Sequence, residues 1–112
     1  MRLACLICGL LFSSAAYGQS ANVIAPWCRE PGNDATLIQA HQYGHCLGAV
    51  QALIMVSQIL RPPFNFCAPA DYSHGQAIEI ILQYIDDRPS FTHKGFEQLA
   101  VYALVEAWPC KK

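Results

Sequence analysis

HQYGHCLG, residues 41–48, sets His41 and His45 one helical turn apart, with Cys46 beside the second. Imidazoles at that spacing and a thiolate are zinc ligands, and zinc so held can activate a water for hydrolysis. Hydrolases that use two helical histidines place a glutamate next to the first as general base. Here that position holds Gln42, which cannot accept the proton. Cys46 is turned about 100° from His45 around a helix axis and, in an oxidised chain, is tied up in a disulfide rather than free as a thiolate. His74 and His93 stand at no recognisable ligand spacing. The pair is expected to be solvent-facing or cap-making, with no metal site and no cofactor.

Other chemistries fail for want of partners. YGHCLG resembles the histidine helix of secreted phospholipases only superficially, because it lacks both the helical aspartate and the glycine-rich calcium loop. No Gly-x-Ser-x-Gly elbow occurs. Asp86 and Asp87 are adjacent, so on a helix they point apart and fit a solvated helix end better than paired carboxylates. Glu79 and Glu97 read as surface positions. A cysteine nucleophile needs a free thiol, against which an even cysteine count argues. No catalytic residue is expected, and the chain is not expected to be an enzyme.

The segments that carry these residues begin with MRLACLICGLLFSSAAYGQS. Arg2 precedes an apolar run over residues 3–12, and small residues follow to Gly18. This is the pattern of a secretory signal peptide over residues 1–18, with Ala16 and Gly18 suited to the peptidase and the mature domain expected over residues 19–112. Cys5 and Cys8 leave with it. About 94 residues remain, enough for one domain with a modest core. Cys28, Cys46, Cys67 and Cys110 survive, an even number that reads as two disulfides in an oxidising compartment. Without Arg2 the chain is slightly acidic, and no basic, aromatic-rich face suggests nucleic acid. No segment after the signal is an unbroken apolar run of membrane-spanning length.

Periodicity predicts three helices. Across residues 36–60, Cys46, Ala49, Leu53, Val56 and Leu60 recur at steps of three and four, and Tyr43, Leu47, Val50 and Ile54 form a neighbouring row. Two apolar rows imply a largely buried central helix, with Asp34 as its N-cap. Ala40, Gly44, Gly48 and Ala52 form a further row along which another backbone can approach closely, at a cost in helix propensity at each glycine. Arg61, Pro62 and Pro63 end the helix. Ser73 and Gln76 make a capping box for a second helix with Ala77, Ile80, Ile81, Tyr84 and Ile85 on its apolar face, stopping before Pro89. Ser90 or Thr92 caps a third, lined by Phe96, Leu99, Ala100, Ala103, Leu104 and Ala107 and closed by Trp108 and Pro109. Residues 22–33 read as loop or a short turn. Strand signals are nearly absent, so the class is all-α: a small disulfide-stapled helical bundle with a short N-terminal arm.

Helix lengths rank the three possible cysteine pairings. Short connectors make successive helices antiparallel, which brings Cys110 back to Cys67. Cys46 lies about fourteen residues from its helix end, so Cys67 would need a return of some 20 Å to reach it. The preferred set is Cys28 with Cys46 and Cys67 with Cys110.

YGHCLGAVQAL in the first helix, FCAP before the second, GQAIEIILQYIDDRP through it and ALVEAWPC at the end resemble, in that order, the Rap/Tai family of type VI secretion immunity proteins. The likeness runs from Cys28 to Cys110. It implies an exported helical domain that binds and blocks a peptidoglycan amidase delivered by rival or sister cells, and it implies a homodimer. A periplasmic acid-stress holdase is the alternative, with partial support from His41, His45, His74 and His93. No family motif fixes the inhibitory contact. On physical grounds the candidate contact is the connector Arg61, Pro62, Pro63, Phe64, Asn65 and Phe66, stiffened by proline and rich in the aromatic residues that favour interfaces. The competing expectation is that Phe64 and Phe66 turn inward as core.

Overall fold

A computed structural model describes residues 18–111. The signal-peptide expectation falls outside the described residues apart from Gly18. The order of elements is α1 (Ala21–Ile24), a 3-10 turn (Ala25–Cys28), α2 (Leu37–Val56), α3 (His74–Asp86), a second 3-10 turn (Pro89–Phe91) and α4 (Phe96–Ala107). No strand occurs among the described residues, whose one isolated β-bridge joins Ser20 to Gly95. The fold is all-α, as the periodicity requires. No helix among the described residues is long and apolar enough to cross a membrane.

α2 begins at a capping box two residues after the expected N-cap, Asp34. Thr36, not Asp34, is the N-cap: its hydroxyl accepts from the Gln39 amide at 3.2 Å, while the Gln39 side chain accepts from the Thr36 amide at 2.9 Å. The helix ends at Val56, a turn before Leu60. The buried Ser57 hydroxyl donates to the Ile54 carbonyl at 2.7 Å, and the Ile59 amide bonds back only three residues, to Val56. Such short-range bonds tighten the last turn where Pro62 forbids continuation.

The expectation of a largely buried central helix is not met. Only Cys46, Val50 and Ile54 of α2 are buried, and the opposite face lies open. Apolar periodicity on two rows signals apolar surface, not what covers it. Gly44 and Gly48 lie on the open side, where an added Cβ would meet nothing within 4 Å, so they serve no internal packing.

Ser73 caps α3 by accepting from the Gln76 amide at 3.0 Å. Ala77, Ile78, Ile81, Leu82 and Ile85 are the buried side of this helix. The start of α4 departs from expectation. Thr92 closes a turn by donating to the Pro89 carbonyl, and the N-cap position is Gly95, which has no side chain to offer. The cap comes from the distant N-terminal arm instead. The Gln19 carbonyl accepts from the Phe96 amide at 3.0 Å, and the amides of Ala21 and Asn22 donate to Lys94 and Thr92. The first amide of a helix needs a partner from outside it, and for Phe96 that partner is a backbone carbonyl far earlier in the chain.

One core unites these pieces: Ile24 and Cys28 from the arm, Cys46, Val50 and Ile54 from α2, Phe66 from the connector, the inner face of α3, and Phe96, Leu99, Ala100, Ala103 and Leu104 from α4. Of residues 22–33, expected as loop or a short turn, the first seven thus join Ala21 in a packed element, with Ala21, Ile24, Ala25 and Cys28 buried. Their eight residues are too short for periodicity to register. Disulfides join Cys28 to Cys46 and Cys67 to Cys110, the pairing the helix lengths favour, with Cα separations of 5.2 and 5.0 Å.

Candidate partner-binding surface

The connector between α2 and α3 is held at both ends. A turn closes it at the start, with the Phe64 amide donating to the Arg61 carbonyl at 2.9 Å across the cis Pro62–Pro63 bond. At the far end the Cys67 amide donates to the Trp108 carbonyl at 2.8 Å beside the Cys67–Cys110 disulfide. Between these clamps the two phenylalanines part. Phe66 is 1% exposed and belongs to the core, so it is an anchor for the connector and not a contact residue. Phe64 is 48% exposed and stacks on Tyr102 of α4, centroids 6.4 Å apart. Arg61, Pro62 and Pro63 are exposed and Asn65 is half-buried.

Phe64 and Tyr102 border a recess of about 350 Å³ completed by Leu60, Gln98 and Val101. Gln98 donates to the Tyr102 hydroxyl at 3.0 Å, fixing the ring that supports Phe64. These α4 residues were not among the sequence-based candidates. Their signal was weak: Val101 and Tyr102 lie well round the helix from its apolar line, on a side the core pattern does not mark.

The histidines assemble no reactive site. Cys46 is spent in its disulfide. His41 and His45 line a shallow recess with Gln19, Trp27 and Glu97, and His45 meets the Trp27 ring edge-on at 5.5 Å. His74 sits apart, its Nδ1 3.3 Å from the Gln51 amide nitrogen and its ring against Tyr72. No three His, Cys, Asp or Glu side chains among the described residues converge as metal ligands. Asp86 and Asp87 are both exposed, and Asp86 pairs with Arg29 at 3.4 Å. Across α3 and α4, Arg88 lies over the Tyr84 ring at 3.8 Å and reaches Glu106 at 3.4 Å. What stands out is a surface: a doubly clamped, proline-stiffened connector that holds an aromatic ring toward solvent.

A family model described as Rap1a immunity proteins matches residues 20–110. The chain belongs to this family. The match takes in the N-terminal arm, all four helices and both disulfides, so the whole described fold is that of a Rap1a immunity domain. Comparison with curated proteins and with solved structures gives no match. Immunity proteins work by binding a partner effector, which directs attention to surface rather than to a reactive group.

Proposed function

We propose that this Rap1a-family chain is a periplasmic immunity protein, exported by its N-terminal signal, that binds a type VI secreted peptidoglycan amidase and blocks it. It acts as a homodimer, without catalysis or cofactor. The family match over residues 20–110 carries the reading. Two disulfides in so small a domain support the oxidising compartment, since such bonds persist outside the cytosol. They also support a preformed binding surface, because partners already ordered lose less entropy on association.

The contact with the amidase is assigned to Arg61, Pro62, Pro63, Phe64 and Asn65, with the Phe64 ring and the neighbouring recess at its centre. A rigid aromatic backed by another ring is the kind of group that dominates interface energetics. A holdase that acts by exposing apolar surface on acidification fits less well: Leu37, Ile38, Met55, Val56 and Ile59 are already exposed, and no carboxylate occurs along residues 37–60.

The test is growth of cells that deliver a type VI amidase into their own periplasm, with and without this chain. Protection by the wild type is expected, with loss of protection in a Phe64→Ala, Arg61→Glu variant that still accumulates in the periplasm. Lysis in the presence of the folded wild type sinks the reading.

A further inference from the structure

Gly18 is the residue after which the signal pattern places the cut, and it lies against a carboxylate. A Cβ added to it would stand 2.8 Å from Glu97 Oε2. Two covalent bonds separate the Gly18 Cα from the nitrogen of Gln19, so an amine set free by that cut opens beside the same carboxylate. Gln19 is held where it is. Its carbonyl accepts from the Phe96 amide at 3.0 Å, Ser20 bridges to Gly95, and the Ala21 amide donates to the Lys94 carbonyl at 2.9 Å. The arm is thus fastened to the start of α4 up to its first mature residue.

Glu97 has room for a cation and no partner among the described residues. The ion pairs there join Arg29 to Asp86 and Arg88 to Glu106, and Lys94, three residues before Glu97, lies over the Phe91 ring at 4.4 Å. The Glu97 side chain is half-buried in the first turn of α4 and borders a recess of about 390 Å³. Facing it across that recess are the exposed imidazoles of His41 and His45 from α2 and the Trp27 ring from the arm. Before the cut, the nitrogen beside Glu97 is a neutral peptide group. After it, the same atom is an α-ammonium, positive at neutral pH because such amines titrate near about 7.7–8.0. An opposite charge within about 4–6 Å favours the charged form of each partner.

We propose that cleavage after Gly18 creates a charged terminus that the fold is shaped to receive: the α-ammonium of Gln19 pairs with Glu97 and pins the arm to α4. This rests on the export signal of the proposed function and adds to it a contact that only processing supplies. Glycine at position 18 then serves twice, as a small residue for the peptidase and as the one residue without a side chain to collide with Glu97. The pair also governs a modification of Gln19. A terminal glutamine cyclises when the lone pair of its α-amine attacks its own side-chain Cδ. A C–N bond forms, one amine proton passes to the side-chain nitrogen, and that nitrogen leaves as ammonia, so the terminus becomes a neutral ring. A protonated amine has no lone pair to give. Held by Glu97, the Gln19 amine stays protonated and the terminus keeps its charge.

Intact mass of the oxidised periplasmic product is expected to start at Gln19 with its amine free. At neutral pH and low salt, Glu97→Gln is expected to lower the melting temperature of this form by about 2–4 °C more than that of chain cyclised to completion with glutaminyl cyclase, whose terminus is neutral. Any loss of favourable charge at the start of α4 is common to both forms and cancels in the difference. On storage at neutral pH, the Glu97→Gln chain is expected to cyclise several-fold faster than the wild type, read as loss of the mass of ammonia from the N-terminal peptide. Equal melting shifts in the two forms, or equal cyclisation rates, overturn the pair and leave export standing. A periplasmic product cut at another position also overturns the pair alone, whereas one that still carries residues 1–18 overturns the pair and the export signal together.

Discussion

Phe64 and Phe66 are two residues apart on the same connector and have opposite roles. Phe66 fills the core, so Phe66→Ala is expected to cost about 3–5 kcal/mol of stability, as large-to-small core changes do. Phe64 has water on one side and Tyr102 on the other, so Phe64→Ala is expected to cost under about 1 kcal/mol in urea unfolding. Its effect belongs in binding, where loss of a central aromatic weakens affinity roughly 30-fold, read by calorimetry against the amidase. Sequence alone could not separate the two rings, because a proline-rich connector has no periodicity from which to read a face. The fate of Cys46 was easier: an even cysteine set pointed to its disulfide before any geometry.

At the level of elements, the capping box at Thr36 makes a sharp forecast. Thr36→Ala removes the acceptor for the Gln39 amide and is expected to lower stability by about 1 kcal/mol, a shift of several degrees in a thermal melt, whereas Asp34→Ala changes nothing measurable. Three helices and their order were legible because their apolar positions repeat over several turns, and the cysteine pairing was legible because helix lengths limit reach. α1 and the cap of α4 were not, for one shared reason. The N-terminal arm is too short to show a period, and its Gln19 carbonyl satisfies the Phe96 amide at the start of α4, so neither signal resides in neighbouring residues. The open side of α2 was misjudged as buried for a related reason: an apolar row looks the same whether its cover is another helix of the chain or another molecule.

For the molecule as a whole, the disulfides divide the work of holding a small core together. They span sequence separations of 18 and 43 residues, for which loop-closure entropy suggests about 3 and about 4 kcal/mol. Replacing Cys67 and Cys110 by serine is therefore expected to destabilise more than replacing Cys28 and Cys46, with unfolding at 37 °C when all four are changed, followed by circular dichroism. Cys28 and Cys46 are buried while Cys67 is exposed, so graded reductant should open the Cys67–Cys110 bond first, as alkylation and mass spectrometry would record. The amide link from Cys67 to Trp108 depends on the same corner, so its loss should also loosen the connector that displays Phe64.

The central claim is that an oxidised, preformed surface of this chain silences a secreted amidase. Peptidoglycan hydrolysis by type VI amidases, measured with an equimolar amount of the oxidised mature chain, tests it most directly. Release of soluble fragments from one of them is predicted to fall to background and to return when the chain has been reduced and alkylated. Undiminished hydrolysis by all of them beside the folded, oxidised chain, or fragment release by the chain alone, would contradict it.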